Sequence, residues 1–421
     1  MILANISVPL LGLVDTAVIG HLSNTYFLAA IALGSSSVSL IFWLLGFLRM
    51  STTGLVAQRY GEQNIGELWR QLLASCSLAV VLALSLNLAS APIISLIAWL
   101  ASPSQEVIML ASEYIQIRFL GAPAALLNLV MLGALLGMQN GKGPFYVVLC
   151  TNLLNIILDI WFVVGLDWGV TGAAWASVAA EYSACILATY LLYRALKKEG
   201  VECRLERPKL SQLLGLLSLN RDIFLRSLVL QACFSFMTFY GARLGDVILA
   251  ANAVLLNFLL LLSFAMDGIA YALEAKVGMA VGRKRFCEVS TWVKVGFFWG
   301  SVLAIGYAVF FAYLGQDIIE LLTSIEAVQQ VALAFLPWIV LLPLVATSSF
   351  LLDGIFIGLT RAKDMRNTMW ISGIVGFALP FWLAQSYGNH ALWLAMSGFM
   401  AMRGITLGLR YRTMMRDIAF D

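Results

Sequence analysis

Apolar runs of about 20 residues, the length that crosses a bilayer as a helix, recur from one end of this chain to the other. Each run closes on a short polar or Gly/Pro cluster: HLSNTY, QRYGEQNIGE, ASPSQE, MQNGKGP, GLDWGVTG, a long charged stretch over 194–222, GARLGD, VGRKR, LGQD, LTRAKDMRN and SYGNH. These clusters cut the 421 residues into twelve spans. Only 12% of the residues are charged, against about a quarter in soluble domains, and the mean hydropathy is +0.90. The expected fold class is therefore an all-α polytopic membrane protein with twelve transmembrane helices. Six cysteines are scattered without C-x-x-C spacing and there are two histidines, His21 and His390, which argues against a disulfide framework or a bis-His haem. The first residues lack a basic segment and a small-residue cleavage site, so no signal peptide is expected. The chain opens inside an apolar run, and a cytoplasmic lead is expected before it.

Lys and Arg are distributed unevenly among the breaks. One set carries Arg59 and Arg70; Lys142; eight basic residues from Arg194 to Arg226; Arg283, Lys284 and Arg285; Arg361, Lys363 and Arg366; and Arg410, Arg412 and Arg416. The alternate breaks carry only Arg243. By the positive-inside rule the first set faces the cytoplasm, with both termini there. The expected division is an N-lobe over 1–194, a cytoplasmic linker over 195–222 and a C-lobe over 223–421. A shift of 221 residues aligns Gly20–Ala32 with Gly241–Ala253, Gly61 with Gly282, Leu132–Lys142 with Asp353–Lys363, and Trp161 with Trp382, without a gap. One register held over more than 100 residues is the mark of an internal repeat. Both halves start on the same side, so the repeats are parallel, as in transporters whose site lies between or within the lobes.

Ionisable groups at membrane depth are rare and face a cavity or a partner. At 1.5 Å per helical residue, Asp15, eight residues before Ser23, lies roughly 12 Å inside the outer end of its span. Asp159 lies eight residues before Asp167, and Ser177 eight residues after Gly169, so three groups on three N-half helices share one depth. Asn155 is one turn before Asp159, and Glu181 one turn after Ser177. Two carboxylates in one low-dielectric pocket cannot both stay ionised, so at least one is expected to hold a proton. Alternatively the Asp, Asn and Ser oxygens are hard ligands suited to a small cation such as Na⁺. The plainer alternative is a hydrogen-bonded knot that ties three helices together.

The C-half carries another set: Asp267 near mid-membrane, with Glu274 and Asp353 both toward the cytoplasmic end. Lys276 and Arg49 are candidate neutralising partners; a structural salt bridge and a transport role remain open for all of them. Arg49 is alternatively a cavity-lining charge. Arg118 and Lys294 are expected to snorkel at helix ends. Pro9, six residues before Asp15, loosens the first helix, either as a switch or as a tolerated proline. Phe, Met and Trp are plentiful and suit a promiscuous apolar cavity, although most must face lipid or pack between helices.

With these residues assembled, the chain resembles the multidrug and toxic compound extrusion (MATE) family, and most of all its DinF branch. The stretches that carry the resemblance are PLLGLVDTAVIGHL, FLRMSTTGLVAQRYG, NIILDIWFVVGL, GAAWASVAAEY, LNRDIFLRSL, LDGIAYALEAKVG, LLDGIFIGLTRAKDMRN and GNHALWLA, in order along nearly the whole chain. The resemblance implies two six-helix lobes around a central cleft, alternating access by lobe rocking, and export of mostly cationic amphipathic drugs or toxic organic cations in exchange for H⁺ or Na⁺. It places the first-helix acid at Asp15, the fifth-helix pair at Asn155 and Asp159, and the helix-bending proline at Pro9. Ser177 holds the sixth-helix hydroxyl position, where relatives carry Thr, which leaves Na⁺ ligation there open. Glu274 and Asp353 are partial counterparts of the acidic cation site of other branches.

The expected function is thus a cation-coupled multidrug antiporter, not an enzyme. It needs no cofactor beyond the coupling ion, has no nucleic-acid partner, and works as a monomer in a bacterial inner membrane. The alternative is a flippase for a lipid-linked precursor, which would want a strongly basic cavity. An integral-membrane prenyltransferase would need Asp-rich metal motifs that the chain lacks, and the absence of G-x-x-x-x-G-K-[ST] argues against direct ATP drive.

Overall fold

The computed structural model describes residues 25–201 and 210–420. Pro9 and Asp15 lie outside the described residues, as does the first expected span. Ten helices among the described residues are long and apolar enough to cross a membrane, and the pair Gln105–Leu120 and Ala122–Gly137, bent by 49°, forms an eleventh span. The chain divides into two compact units, one ending at Leu217 and the other starting at Ser218.

The first unit contains α1 (Thr25–Leu44), α2 (Phe47–Gly61), α3 (Ile65–Leu88), α4 (Ser90–Ala101), α5 (Gln105–Leu120), α6 (Ala122–Gly137), α7 (Lys142–Asp159) and α8 (Gly169–Lys198). Helix starts follow local chemistry. Asn64 accepts the Glu67 amide at 3.1 Å to cap α3, and Ser104 accepts the Val107 amide to cap α5, each satisfying an otherwise orphan donor. A short π-helical segment, Ile160–Gly165, follows α7 directly. The unit's largest buried side chains include Ile115, Phe119 and Leu126.

The second unit contains α9 (Leu210–Leu244, whose first turns belong to the first unit), α10 (Asp246–Gly282), α11 (Phe286–Leu322), α12 (Glu326–Gly358), α13 (Ala362–Ile371), a π segment Ser372–Ala378, α14 (Leu379–Ala384) and α15 (Asn389–Phe420). Its core holds Phe258, Phe311, Trp393 and Phe399. The expected break at LGQD is not one. α11 runs on to Leu322 and the chain turns at Thr323–Ile325. Gly315 and Ile319 are buried in the bundle, and Gln316 donates to Glu320 one turn on at 2.8 Å, so the polar residues of that stretch lie on a continuing helix.

The 221-residue repeat reappears in the backbone. Left-handed residues fall at Gln63 and Lys284, at Gln139 and Thr360, and at Asp167 and Gly388, three pairs each separated by 221 positions. Helix packing repeats as well. A Cβ added to Gly133 would stand 2.6 Å from the Arg49 carbonyl, and one added to Gly354 would stand 2.6 Å from that of Ala270. One turn later, a Cβ on Gly137 would reach the Thr53 carbonyl and one on Gly358 the Glu274 carbonyl, at 2.9 and 2.7 Å. Every residue in the second contact is the first plus 221. Small residues at one face let backbones approach where lipid supplies no hydrophobic drive, and the repeat preserves that face in both units.

One polar knot belongs to the second unit alone. Asn252 and Asn389 exchange amide hydrogen bonds at 2.7 and 2.9 Å, and Trp393 Nε1 donates to Asn252 at 3.0 Å. The two Asn side chains and Trp393 are buried. Asn252→Leu strands the Asn389 amide and the indole N–H, at about 1–3 kcal/mol for each group left unsatisfied. The expected result is a lower melting temperature in detergent micelles, with Trp393→Phe costing less in the Asn252→Leu background than alone.

Candidate functional site

α7 carries a buried polar stripe. Asn152, Asn155 and Asp159 are 8%, 4% and 3% exposed, and their spacing of three and four residues puts them on one helical face. The stripe ends where α-helical winding gives way to the π segment at Ile160, an irregularity often found at functional sites. The Asn155 amide nitrogen meets no acceptor among the described residues. Asn152 went unnoticed in the sequence although it lies one turn from Asn155 on the same face.

Ser177 is half-buried on α8, which packs along α7. The repeat sets the register of this pair. In the second unit Gly376 and Gly398, 221 positions after Asn155 and Ser177, touch backbone to backbone: a Cβ on either would meet the other's carbonyl at 2.5–2.8 Å. In the first unit the antiparallel contact near the turn pairs Gly172 with Phe162, whose backbone would lie 3.1 Å from a Cβ on Gly172. Asn155 and Ser177 hold in the first unit the repeat positions that the glycines Gly376 and Gly398 hold in the second.

Arg118 does not snorkel at a helix end. Its guanidinium pairs with Glu181 at 2.8 Å, with side chains 12% and 15% exposed, and lies over the Phe42 ring. Arg49 is a buried residue of α2 in the first unit.

The second unit holds a different charged centre. Asp353 Oδ2 accepts from Arg226 Nη2 and from Arg403 Nη2, and all three residues are buried. The Arg403 guanidinium also lies 5.5 Å from the Phe399 ring centroid and 5.9 Å from that of Phe350. The partners of Asp353 are therefore these two arginines, from α9 and α15, and Lys276 instead stands over the Trp292 ring at 5.1 Å. Arg226 belongs by the loop count to the basic residues expected to face the cytoplasm. It lies four turns inside α9, a helix that begins at Leu210. Two more acid–base links tie α13 to α9 and to α15: Arg366 to Asp222 at 2.7 Å and Arg410 to Asp364 at 2.9 Å. Glu274 is buried on α10 and Asp267 half-buried.

These features describe an all-helical membrane protein made of two repeated units, with a buried polar site in the first and an ion cluster in the second. The sequence profile of the MatE family matches residues 1–161 and 223–382, one segment in each repeat, and the chain belongs to that family of membrane transporters. The DNA damage-inducible protein F of Escherichia coli strain K12 is 44% identical over 418 residues, covering 99% of this chain and 91% of the relative. A probable multidrug resistance protein NorM of Bacillus cereus is 23% identical, covering 94% of this chain and 88% of its own. Among solved structures, MATE in the straight conformation superposes with a TM-score of 0.90 at 19% identity, over 99% of this chain and 94% of that one. MATE in the bent conformation gives 0.88 at 18% identity, over 100% and 94%. At these identities the structural likeness speaks for the fold.

Proposed function

We propose that this chain is a secondary active efflux antiporter that exports amphipathic, mostly cationic compounds in exchange for H⁺ or Na⁺. In this reading it works by alternating access, as a monomer in a bacterial inner membrane with both termini cytoplasmic. The observation that carries the reading is the buried Asn155–Asp159 stripe on α7, a helix packed along the α8 that bears Ser177: amide and acidic oxygens at membrane depth, where a purely structural contact could be apolar. The names of relatives, multidrug resistance and detoxification proteins among them, support the substrate class.

Asp15 completes the site in this reading. Its counterpart 221 positions on is Phe236, whose ring packs against Phe377 and Phe381. Those two are the counterparts of Ile156 on α7 and Ile160 at the start of the π segment, on either side of Asp159. The repeat thus supports a first helix that meets the stripe at Asp15. Entry of H⁺ or Na⁺ from outside neutralises the acids, the first helix bends near Pro9, and the drug is released. Loss of the ion to the cytoplasm resets the site. Coupling follows because one set of acids is linked to both the ion-loaded and the drug-loaded state.

Reconstituted vesicles loaded with tetraphenylphosphonium test the reading under separately imposed pH and Na⁺ gradients. One gradient is expected to drive counter-movement of the lipophilic cation, and Asp15→Asn to abolish it. Flux indifferent to both gradients would refute antiport.

A further inference from the structure

The span formed by α5 and α6 is broken at Gly121, and the break is held by specific contacts. Pro123 has no amide hydrogen, so the Phe119 carbonyl four residues back lacks its regular α-helical donor. Asn87 of α3 donates to that carbonyl at 2.8 Å, and the Tyr182 hydroxyl of α8 donates to the Leu120 carbonyl at 3.0 Å. Beside Tyr182, Glu181 takes Arg118 from the last turn of α5 at 2.8 Å. The other oxygen of Glu181 lies so close to Gly121 that a Cβ there would collide with it. A carboxylate is therefore wedged into the bend, bound to the helix on one side of it.

Two comparisons bear on what this arrangement does. Ser177 stands one turn before Glu181 on the same face of α8, so the polar site and the wedge share one rigid helix. In the second unit the counterparts of Arg118, Gly121 and Glu181 are Ile339, Leu342 and Met402. There α12 runs from Glu326 to Gly358 as one helix despite Pro337 and Pro343. The charged break is thus confined to the unit that holds Asn155, Asp159 and Ser177.

We propose that Glu181 and Arg118 form a positioning pair that transmits ion occupancy of the Asn155–Asp159–Ser177 site to the bend at Gly121, and so sets the rate of the conformational cycle. The proposal rests on that site being the coupling site. A small displacement of α8 when the ion binds carries the Glu181 carboxylate with it. The ion pair, strong in a low-dielectric interior, drags the end of α5 across a hinge whose freed carbonyls already have side-chain donors. Packed helices convert such shifts into discrete rearrangements.

The test measures ion-driven tetraphenylphosphonium flux in proteoliposomes for wild type, Glu181→Gln, Gly121→Ala, the charge-exchanged Arg118→Glu/Glu181→Arg and Asp159→Asn. Glu181→Gln keeps the shape and one acceptor but removes the charge. It is expected to lower Vmax about tenfold, within the usual span of coupling effects, with KM close to wild type. Because Arg118 loses its counter-ion the melting temperature falls as well, so flux is compared at temperatures well below the melting of each variant. The charge-exchanged variant is expected to restore a substantial part of the flux. Gly121→Ala pushes the carboxylate out of the bend and is expected to lower Vmax similarly, with no further loss in a Glu181→Ala background. Wild-type Vmax in Glu181→Gln, a raised KM at unchanged Vmax, or a loss that tracks the melting temperature would each overturn the proposal. Should Asp159→Asn abolish coupled flux while Glu181→Gln spares it, only the relay fails. Should Asp159→Asn retain full coupled flux, the coupling site itself is misassigned and the relay falls with it.

Discussion

Asp159→Asn is expected to reduce ion-driven drug flux about 100-fold, toward the upper end of the range for linked sites, while leaving the fold intact. The substitution is nearly isosteric, and the side chain sits at the end of α7 next to a π segment whose winding does not depend on its charge. In the proposed mechanism it removes the group whose neutralisation distinguishes the ion-loaded from the empty state. Downhill, uncoupled movement of tetraphenylphosphonium is expected to persist, because in the proposed mechanism that charge serves the coupling ion and not the passage of the drug. The decisive measurement is therefore counter-movement of the ion, followed with a pH-sensitive dye or ²²Na⁺, beside drug flux in the same vesicles. Ion movement coupled one-for-one in the Asn variant would remove Asp159 from the mechanism. Asn155→Ala is expected to weaken coupling less, since it deletes a neutral ligand and leaves both acids.

The second large effect is expected at Asp353, and it is one of stability. Both arginines bind the same carboxylate oxygen, so Asp353→Asn leaves two buried guanidinium groups with no anion between them. Removing one partner of a buried ion cluster costs about 3–5 kcal/mol, enough to unfold a unit of marginal stability. Asp353→Asn is expected to express poorly and to melt far below wild type in detergent. Replacing all three, Arg226→Met, Asp353→Leu and Arg403→Met, removes the charges together and is expected to recover much of the lost stability, because apolar side chains of similar volume avoid the desolvation cost. That rescued variant should also retain coupled flux. A carboxylate engaged by two arginines cannot take up a proton or a sodium ion without leaving both cations uncompensated. A rescued protein that folds but no longer couples would instead give the cluster a transport role.

The same cluster bears on the alternative of a lipid-linked-precursor flippase. Such a protein needs basic side chains open to an anionic headgroup. Among the described residues of the second unit the buried arginines are Arg226 and Arg403, and both are committed to Asp353.

Much of this architecture is legible in the chain itself. The spans are readable because a bilayer demands about 20 apolar residues per crossing, a one-dimensional constraint. The 221-residue register is readable because helix crossings need small residues in fixed places, and Gly133, Gly137, Gly354 and Gly358 carry that requirement in the sequence. Asn155 and Asp159 stand out because polar residues one turn apart in an apolar run must share a face. What the chain does not show is which way a side chain turns once it is inside a bundle. Transmembrane helices are apolar all round, so the amphipathic period that orients a soluble helix is faint. Arg226 therefore looked like cytoplasmic-face charge, Arg118 like a snorkelling end, and LGQD like a turn. In the folded protein Arg226 reaches Asp353 from a residue 127 positions away, Arg118 meets Glu181 against a glycine, and α11 continues through the LGQD stretch. Sequence alone determined that this protein is an all-helical, many-span membrane protein, how its halves repeat and which oxygens are rare enough to matter. Only the tertiary structure decided which charges meet, because a buried ion must find its counter-ion in three dimensions, and distance along the chain does not say where that will be.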